Sequence, residues 1–332
     1  MNKNDDKKSA IKKLRSLAFS TKQEVEIFRR TIDEKFHCAI LPNHVECNEQ
    51  KFADILCDTL VPEVYSLNKI MIYVHGGCFV GGSKNAWRSF CASLAAATSC
   101  RIVVPEFRLA PENAHPAALE DLQNVFRTVF TEEQIACSLN SGESQALPEI
   151  IIAADGSGAS QAMALILSLR ERYRNCIKQV ILFSPWLNLS ADSKIIKSRK
   201  LHDEILTGDC LRRSAEIYTN GENLESPLVS PMFISPESLK NFPPVFIQIG
   251  SREILLEDAK EFQKLLSEAG GVCQLDVWDD MIFMFQMADE FLAESHLAVE
   301  RVGRLVRLQT EIPDEDTLNC APTLEYGIKG ES

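Results

Sequence analysis

The sequence predicts an α/β protein in which one mostly parallel central sheet carries helices on both faces and a helical cap. Three observations lead there. Short apolar runs alternate with helical patterns through most of the chain, which is how a parallel sheet is buried between two helical layers. The length of 332 residues suits one large domain with an added cap. A composition of 45% hydrophobic and 25% charged residues is that of an ordinary globular protein.

Taken in order, residues 1–45 precede the first predicted sheet strand. The first thirty residues carry nine basic and four acidic groups, a net of +5, and Ile11, Leu14 and Ala18 fall at helical spacing beside the lysines. This reads as a basic amphipathic helix lying over the domain as a cap or lid, with a membrane-surface anchor as the lesser reading. Strands are predicted at Lys69–Val74, Arg101–Pro105, Glu149–Ala153, Gln179–Phe183, Pro244–Ile249 and Cys273–Trp278, each a short apolar run. Helical patterns at Trp87–Thr98, Ala117–Phe130, Ser160–Tyr173 and Glu257–Ala269 lie between them. Thr131–Leu147 is polar and reads as a surface loop. The main domain spans 46–308. Within it, about 188–241 is a mainly polar, helical insertion, expected to cap the carboxyl ends of the strands, where such sheets bind ligands. The tail, 309–332, is acidic, lacks periodicity and is expected to be flexible.

A net charge of −12 and a pI near 5.1 argue against nucleic acid as a partner. No apolar run is long enough to span a membrane and no secretory signal is visible. The eleven cysteines include no C-x-x-C pair and read as reduced thiols of a cytoplasmic protein. Nothing has metal-ligand spacing, and no metal or cofactor is expected.

The first strand of the alternation runs into His75-Gly76-Gly77-Cys78-Phe79, with Gly81-Gly82-Ser83 just beyond. Glycines after a strand let backbone N–H groups approach a developing negative charge. The stretch resembles the HGGG motif of the hormone-sensitive-lipase-like esterases, an α/β-hydrolase family. Glu106-Phe107-Arg108-Leu109-Ala110-Pro111-Glu112 is similar to that family's D-Y-R-L-A-P-E. His115-Pro116-Ala117 through Asp121, Ser184-Pro185-Trp186 and Gly250 through Leu255 continue the likeness in the same order, over roughly residues 30–305. The resemblance implies an α/β-hydrolase fold and carboxylester hydrolysis by serine, histidine and acid over a glycine-loop oxyanion hole.

Each catalytic position can be tested against that pattern. The family's G-D-S-A-G aligns as Ala154-Asp155-Gly156-Ser157-Gly158, which places Gly156 at the nucleophile position. The acid position is Glu253, within Gly250-Ser251-Arg252-Glu253-Ile254-Leu255; it is expected either to pair with a cation such as Arg252 or, if buried, to have a raised pKa. The base position is Phe283, within Met281-Ile282-Phe283-Met284-Phe285. His37, His44, His75, His115, His202 and His296 all fall elsewhere and read as structural or surface residues. The oxyanion loop survives as Gly76, Gly77 and Cys78, with the Ser157 N–H as a further donor. Nothing in the sequence lowers the pKa of Cys78. Phe79, Trp186, Phe283, Met284 and Phe285 are candidate pocket-lining residues.

The primary expectation is therefore a non-catalytic pseudo-esterase that binds a small hydrophobic ligand or a protein partner at the former acyl pocket. One alternative is a weak carboxylesterase using Ser157. Another is a structural or protein-interaction module with a filled pocket.

Overall fold

β-Branched and aliphatic residues dominate the central strands, and the neighbouring Ala- and Leu-rich segments coil into helices that cover them. The computed structural model describes residues 3–37, 41, 44–141, 147–190, 193 and 203–307. Eight strands form one sheet: β1 Val45–Phe52, β2 Ile55–Pro62, β3 Lys69–Val74, β4 Arg101–Pro105, β5 Glu149–Asp155, β6 Ile177–Phe183, β7 Val245–Gly250 and β8 Cys273–Trp278. Their order is β1-β2-β4-β3-β5-β6-β7-β8. β1 and β2 pair antiparallel, as do β2 and β4, and every other pairing is parallel.

The six expected strands all form, to within a residue or two at their ends. The β1–β2 hairpin was not foreseen. Its first strand, VECNEQKF, is buried only at its two ends, so it offers no apolar run to read. Ala53 and Asp54 turn it with φ of 49° and 69°.

The helices are α1 Lys3–Leu14, α2 Val25–Phe36, α3 Lys84–Thr98, α4 Ala117–Ser141, α5 Gly156–Ser168, the single turn α6 Glu171–Arg174, α7 Gly208–Tyr218, α8 Leu256–Glu268 and α9 Ala293–Arg307. Two expectations are corrected here. α4 runs on to Ser141, through most of the segment read as a loop; Val129, Phe130 and Cys137 are buried and extend its apolar face past the predicted end. The stretch read as one helix from Ser160 to Tyr173 starts earlier, at Gly156, and breaks at Leu169, where the backbone is extended (φ −76°, ψ 142°).

The amino-terminal segment packs across the carboxyl ends of the strands. Ala10, Leu14, Leu17 and Phe19 are buried. Two lysines of α1 are tied to the domain by ion pairs, Lys7 to Asp280 at 2.7 Å and Lys13 to Glu290 at 2.6 Å. α2 sits against the loop after β3: Arg29 Nε donates to the Val80 carbonyl at 2.7 Å, and its guanidinium pairs with Glu112 at 2.7 Å. Residues 191–192 and 194–202 of the predicted insertion, and the whole 309–332 tail, lie outside the described residues. The rest of the insertion carries α7, whose buried face includes Cys210, Leu211, Ser214, Ala215 and Tyr218. No helix among the described residues is long and apolar enough to cross a membrane.

Candidate active site

The site lies where β3 and β5 end side by side in parallel register, Val74 opposite Ala154. Beyond β3, Gly77, Cys78 and Phe79 all take positive φ, of 110°, 56° and 64°. A side chain in this region carries strain on the order of 1 kcal/mol or more, and successive residues bent this way turn their N–H groups to one side. Phe79 N–H donates to Ser157 Oγ at 3.1 Å. Gly77 could not be another residue without displacing Gly81, whose carbonyl a Cβ would strike.

Beyond β5, Asp155 has its carboxylate wholly enclosed. Its Oδ1 accepts from Tyr73 Oη (2.8 Å), Gly76 N (3.0 Å) and Trp87 Nε1 (2.7 Å). Burial pushes its pKa up to about 7, and these hydrogen bonds recover only part of the cost. Gly156 follows at the apex of the turn with φ +48°. A Cβ added there would meet Phe283 Cζ at 3.3 Å, so the Phe283 ring fills the space next to that position. The two residues assigned to the nucleophile and base positions are therefore neighbours, with room for a ring only because Gly156 has no side chain. Ser157 is the second residue of α5 and is buried.

Glu253 is also buried. Its Oε1 accepts from Gly250 N at 2.6 Å and Ser184 Oγ at 2.8 Å, and its Oε2 has no hydrogen-bond partner. Burial raises its pKa well above the usual carboxylate range, and the nearby Asp203 adds to the rise. Pairing with Arg252 does not occur: that guanidinium engages Glu204 and Asp280 instead. Met284, beside Phe283, has φ +52° and is held by its N–H to Ser184 Oγ at 3.2 Å.

Together these residues enclose a cavity of about 10 Å³, enough for about one water molecule. Gly77, Cys78, Asp155, Gly156, Ser157, Trp186 and Phe283 line it, beneath Leu17 of the amino-terminal segment and Leu211 of α7. The expected apolar ligand pocket is corrected accordingly, because aromatic rings and the covering segments fill that volume. Phe79, Met284 and Phe285 are buried but do not line the cavity. Phe79 stacks on Tyr218 of α7 (centroids 3.9 Å apart) and Phe285 packs on Trp278.

None of the described histidines lines it. His75 is stacked on Phe107 (4.3 Å) with its pKa pressed down to about 4 by burial, and His115 contacts Tyr218 Oη at 3.2 Å. His37, His44 and His296 are exposed, and His202 lies outside the described residues. Three participants were not legible in the sequence. Asp155 was visible only as a motif letter; burial in the folded site raises its pKa toward neutrality, against the hydrogen bonds it accepts from Tyr73 and Trp87 on other elements. Tyr218 and Cys210 sit in a stretch with no motif. The Cys78 thiol, read as unperturbed, is corrected: a hydrogen bond with the Cys210 thiol lowers its pKa. No group of residues able to hold a metal ion occurs among the described residues.

An eight-stranded α/β sheet with a glycine-containing loop after β3 facing a β5–α5 turn defines a hydrolase-type scaffold. Residues 71–287 match the alpha/beta hydrolase fold family, and the chain belongs to it. Within that fold it is a hormone-sensitive-lipase-like protein. It superposes on an esterase from the bacterial hormone-sensitive lipase family with a TM-score of 0.79 and 25% identity, covering 94% of this chain and 100% of that one. An esterase of Acinetobacter venetianus is 29% identical over 72% of this chain and 74% of its own length. An acetyl-hydrolase of Streptomyces hygroscopicus is 28% identical over 73% and 76%. These likenesses overturn the expectation of a non-catalytic protein: relatives spanning most of the chain are named as ester and acetyl hydrolases. That expectation rested on glycine at 156 and phenylalanine at 283, with Ser157 kept only as an alternative nucleophile. The sequence could not show Ser157 Oγ held by the Phe79 N–H in one cavity with Asp155, whose pKa burial pushes up to about 7.

Proposed function

We propose that the protein is a slow carboxylic ester hydrolase of short-acyl specificity, with Ser157 as nucleophile. The observation that carries this reading is the placement of Ser157 Oγ 3.1 Å from the Phe79 N–H, in the same cavity as Asp155. The similarity to proteins named esterase and acetyl-hydrolase supports the same chemistry. Ser157 Oγ attacks the acyl carbon as Asp155 takes its proton, and the oxyanion moves onto the loop N–H groups of Cys78 and Phe79; the ester C–O bond then breaks and Asp155 gives that proton to the departing alcohol. Water next attacks the acyl-enzyme, passing a proton to Asp155, which returns it to Ser157 Oγ as the acid leaves. Because the cavity admits about one water molecule, an ester enters only when the amino-terminal segment and α7 lift. Small acyl groups need the least opening.

A serine displaced from the apex and served by a carboxylate works far below an intact triad, whose loss costs on the order of 10⁴–10⁶ in turnover. Hydrolysis of an aryl acetate by the purified protein tests the reading. Turnover is expected to rise with pH through about 7, following Asp155, to vanish in Ser157→Ala, and to lose that pH step in Asp155→Asn. Wild-type turnover no greater than that of heat-denatured protein, or full turnover in Ser157→Ala, defeats it.

A further inference from the structure

A second cavity, of about 400 Å³, lies between α3 and α9 and shares no lining residue with the catalytic one. Its volume is in the range that holds a small molecule. Ala86, Ser89, Ser93, Ala96 and Ala97 of α3 line one side, and these small side chains leave a gap spanning about 16 Å along the helix. The inner wall is apolar, made by Phe36, Phe90, Met287 and Val299, all buried. The charged groups lining it among the described residues balance: the cations Lys13, Lys35 and Arg307 stand against the carboxylates Asp289, Glu290 and Glu300. His37 and His296 also line it, both exposed. One aromatic pair joins the two cavities, since Phe36 stacks on Trp87 of the catalytic one with centroids 6.4 Å apart.

One polar group of this lining is left unfinished. Gln248 Nε2 donates to Asp276 Oδ2 at 3.0 Å and to the Ala298 carbonyl at 3.2 Å, and its Oε1 accepts from Gln286 Nε2 at 3.1 Å. That chain fixes the orientation of the Gln286 amide, which is 1% exposed. Its Oε1 is left as a buried acceptor with no hydrogen-bond partner among the described residues. A bare buried acceptor is costly, and a donor brought by a ligand relieves that cost.

We propose that this cavity binds a linear primary alcohol of medium chain length, its hydroxyl donating to Gln286 Oε1 and its chain lying along α3. The head must be a donor because the unfinished group is an acceptor. It is neutral because balanced charges give an ion no net attraction to offset its desolvation. The alkyl chain matches the apolar wall and the length of the gap. An alcohol is also one of the two products that ester hydrolysis releases, so the site takes the class of the leaving group. That link alone rests on the proposed function.

The test titrates octan-1-ol into the full-length protein and follows binding by saturation-transfer NMR, with octyl methyl ether and octanoate as comparisons. The alcohol is expected to bind with a Kd on the order of 0.1–1 mM. The ether keeps the chain and lacks the donor, and is expected to bind on the order of ten-fold more weakly. Ser93→Phe fills the gap from a half-buried position, and Ala96→Trp narrows it from an exposed one. Each is expected to weaken alcohol binding on the order of ten-fold, with thermal melting by circular dichroism confirming that the variant is folded. No saturable binding of the alcohol, or unchanged affinity in a folded variant, overturns the site. Equal binding of the ether overturns the role given to Gln286, and equal or tighter binding of octanoate overturns the neutral class. If aryl acetate is not hydrolysed, the proposed function fails while these binding results still decide this inference.

Discussion

At the scale of single residues, the fit of the Phe283 ring to the space beside Gly156 is the most informative feature of the site. Gly156 takes φ +48° without strain, and the Phe283 ring stands where its Cβ would make a tight contact. Each residue suits the other. Gly156→Ser alone is expected to cost on the order of 1–3 kcal/mol, from the left-handed backbone and the contact with the ring, with no gain in turnover. Phe283→His removes part of the ring and brings an imidazole toward Glu253, whose Oε2 has no partner. The double variant Gly156→Ser/Phe283→His is therefore expected to exceed either single variant by on the order of 10²-fold or more in aryl-ester turnover. Additive single effects in that kinetic cycle would mean the two positions are independent.

At the scale of elements, the amino-terminal segment behaves as part of the core. Phe19 is fully buried, packs on Phe28 of α2 with centroids 5.0 Å apart, and lies under the Arg213 guanidinium of α7 at 4.1 Å. It joins both coverings of the site. Phe19→Ala is expected to destabilise the protein by about 3 kcal/mol, as for other buried aromatic truncations, measured by urea unfolding. Because the cavity it leaves lies between lid and cap, alkylation of Cys78 and Cys210 in the folded protein should also accelerate. A loss below about 0.5 kcal/mol would indicate that the segment only rests on the domain.

For the whole molecule, three buried carboxyls act on stability in opposite directions. Burial pushes Asp155 up to about 7 and raises Glu253 strongly. A carboxyl whose folded pKa lies above its unfolded value favours the fold in full below the unfolded value, and loses that contribution as pH rises through the folded one. Asp58 is the reverse: hydrogen bonds from Arg88 and Lys84 outweigh its burial and hold its pKa down. Its contribution is present above the unfolded value and is lost as pH falls through the folded one. Unfolding free energy is thus expected to decline from about pH 4 to pH 7, by on the order of a few kcal/mol from Asp155. Denaturant titrations across that range check it: the slope should be shallower in Asp155→Asn and unchanged in a surface variant such as Glu257→Gln.

The sequence by itself determined the sheet, its parallel strands and the hydrolase family, because apolar runs and glycine-loop motifs are local in the chain. It also singled out Gly156, Glu253 and Phe283, and the burial that raises the pKa of Glu253 agrees with one of the two outcomes expected for it. The polar edge strand β1 and the far end of α4 were hidden because their burial is partial or comes from distant partners. Only the tertiary structure decided the chemistry of the site. The Phe283 ring against Gly156 and the near-neutral Asp155 between Tyr73 and Trp87 each join residues far apart in the chain. Packing density and dielectric burial are properties of that assembled neighbourhood, and they set which side chains have room, charge and reactivity.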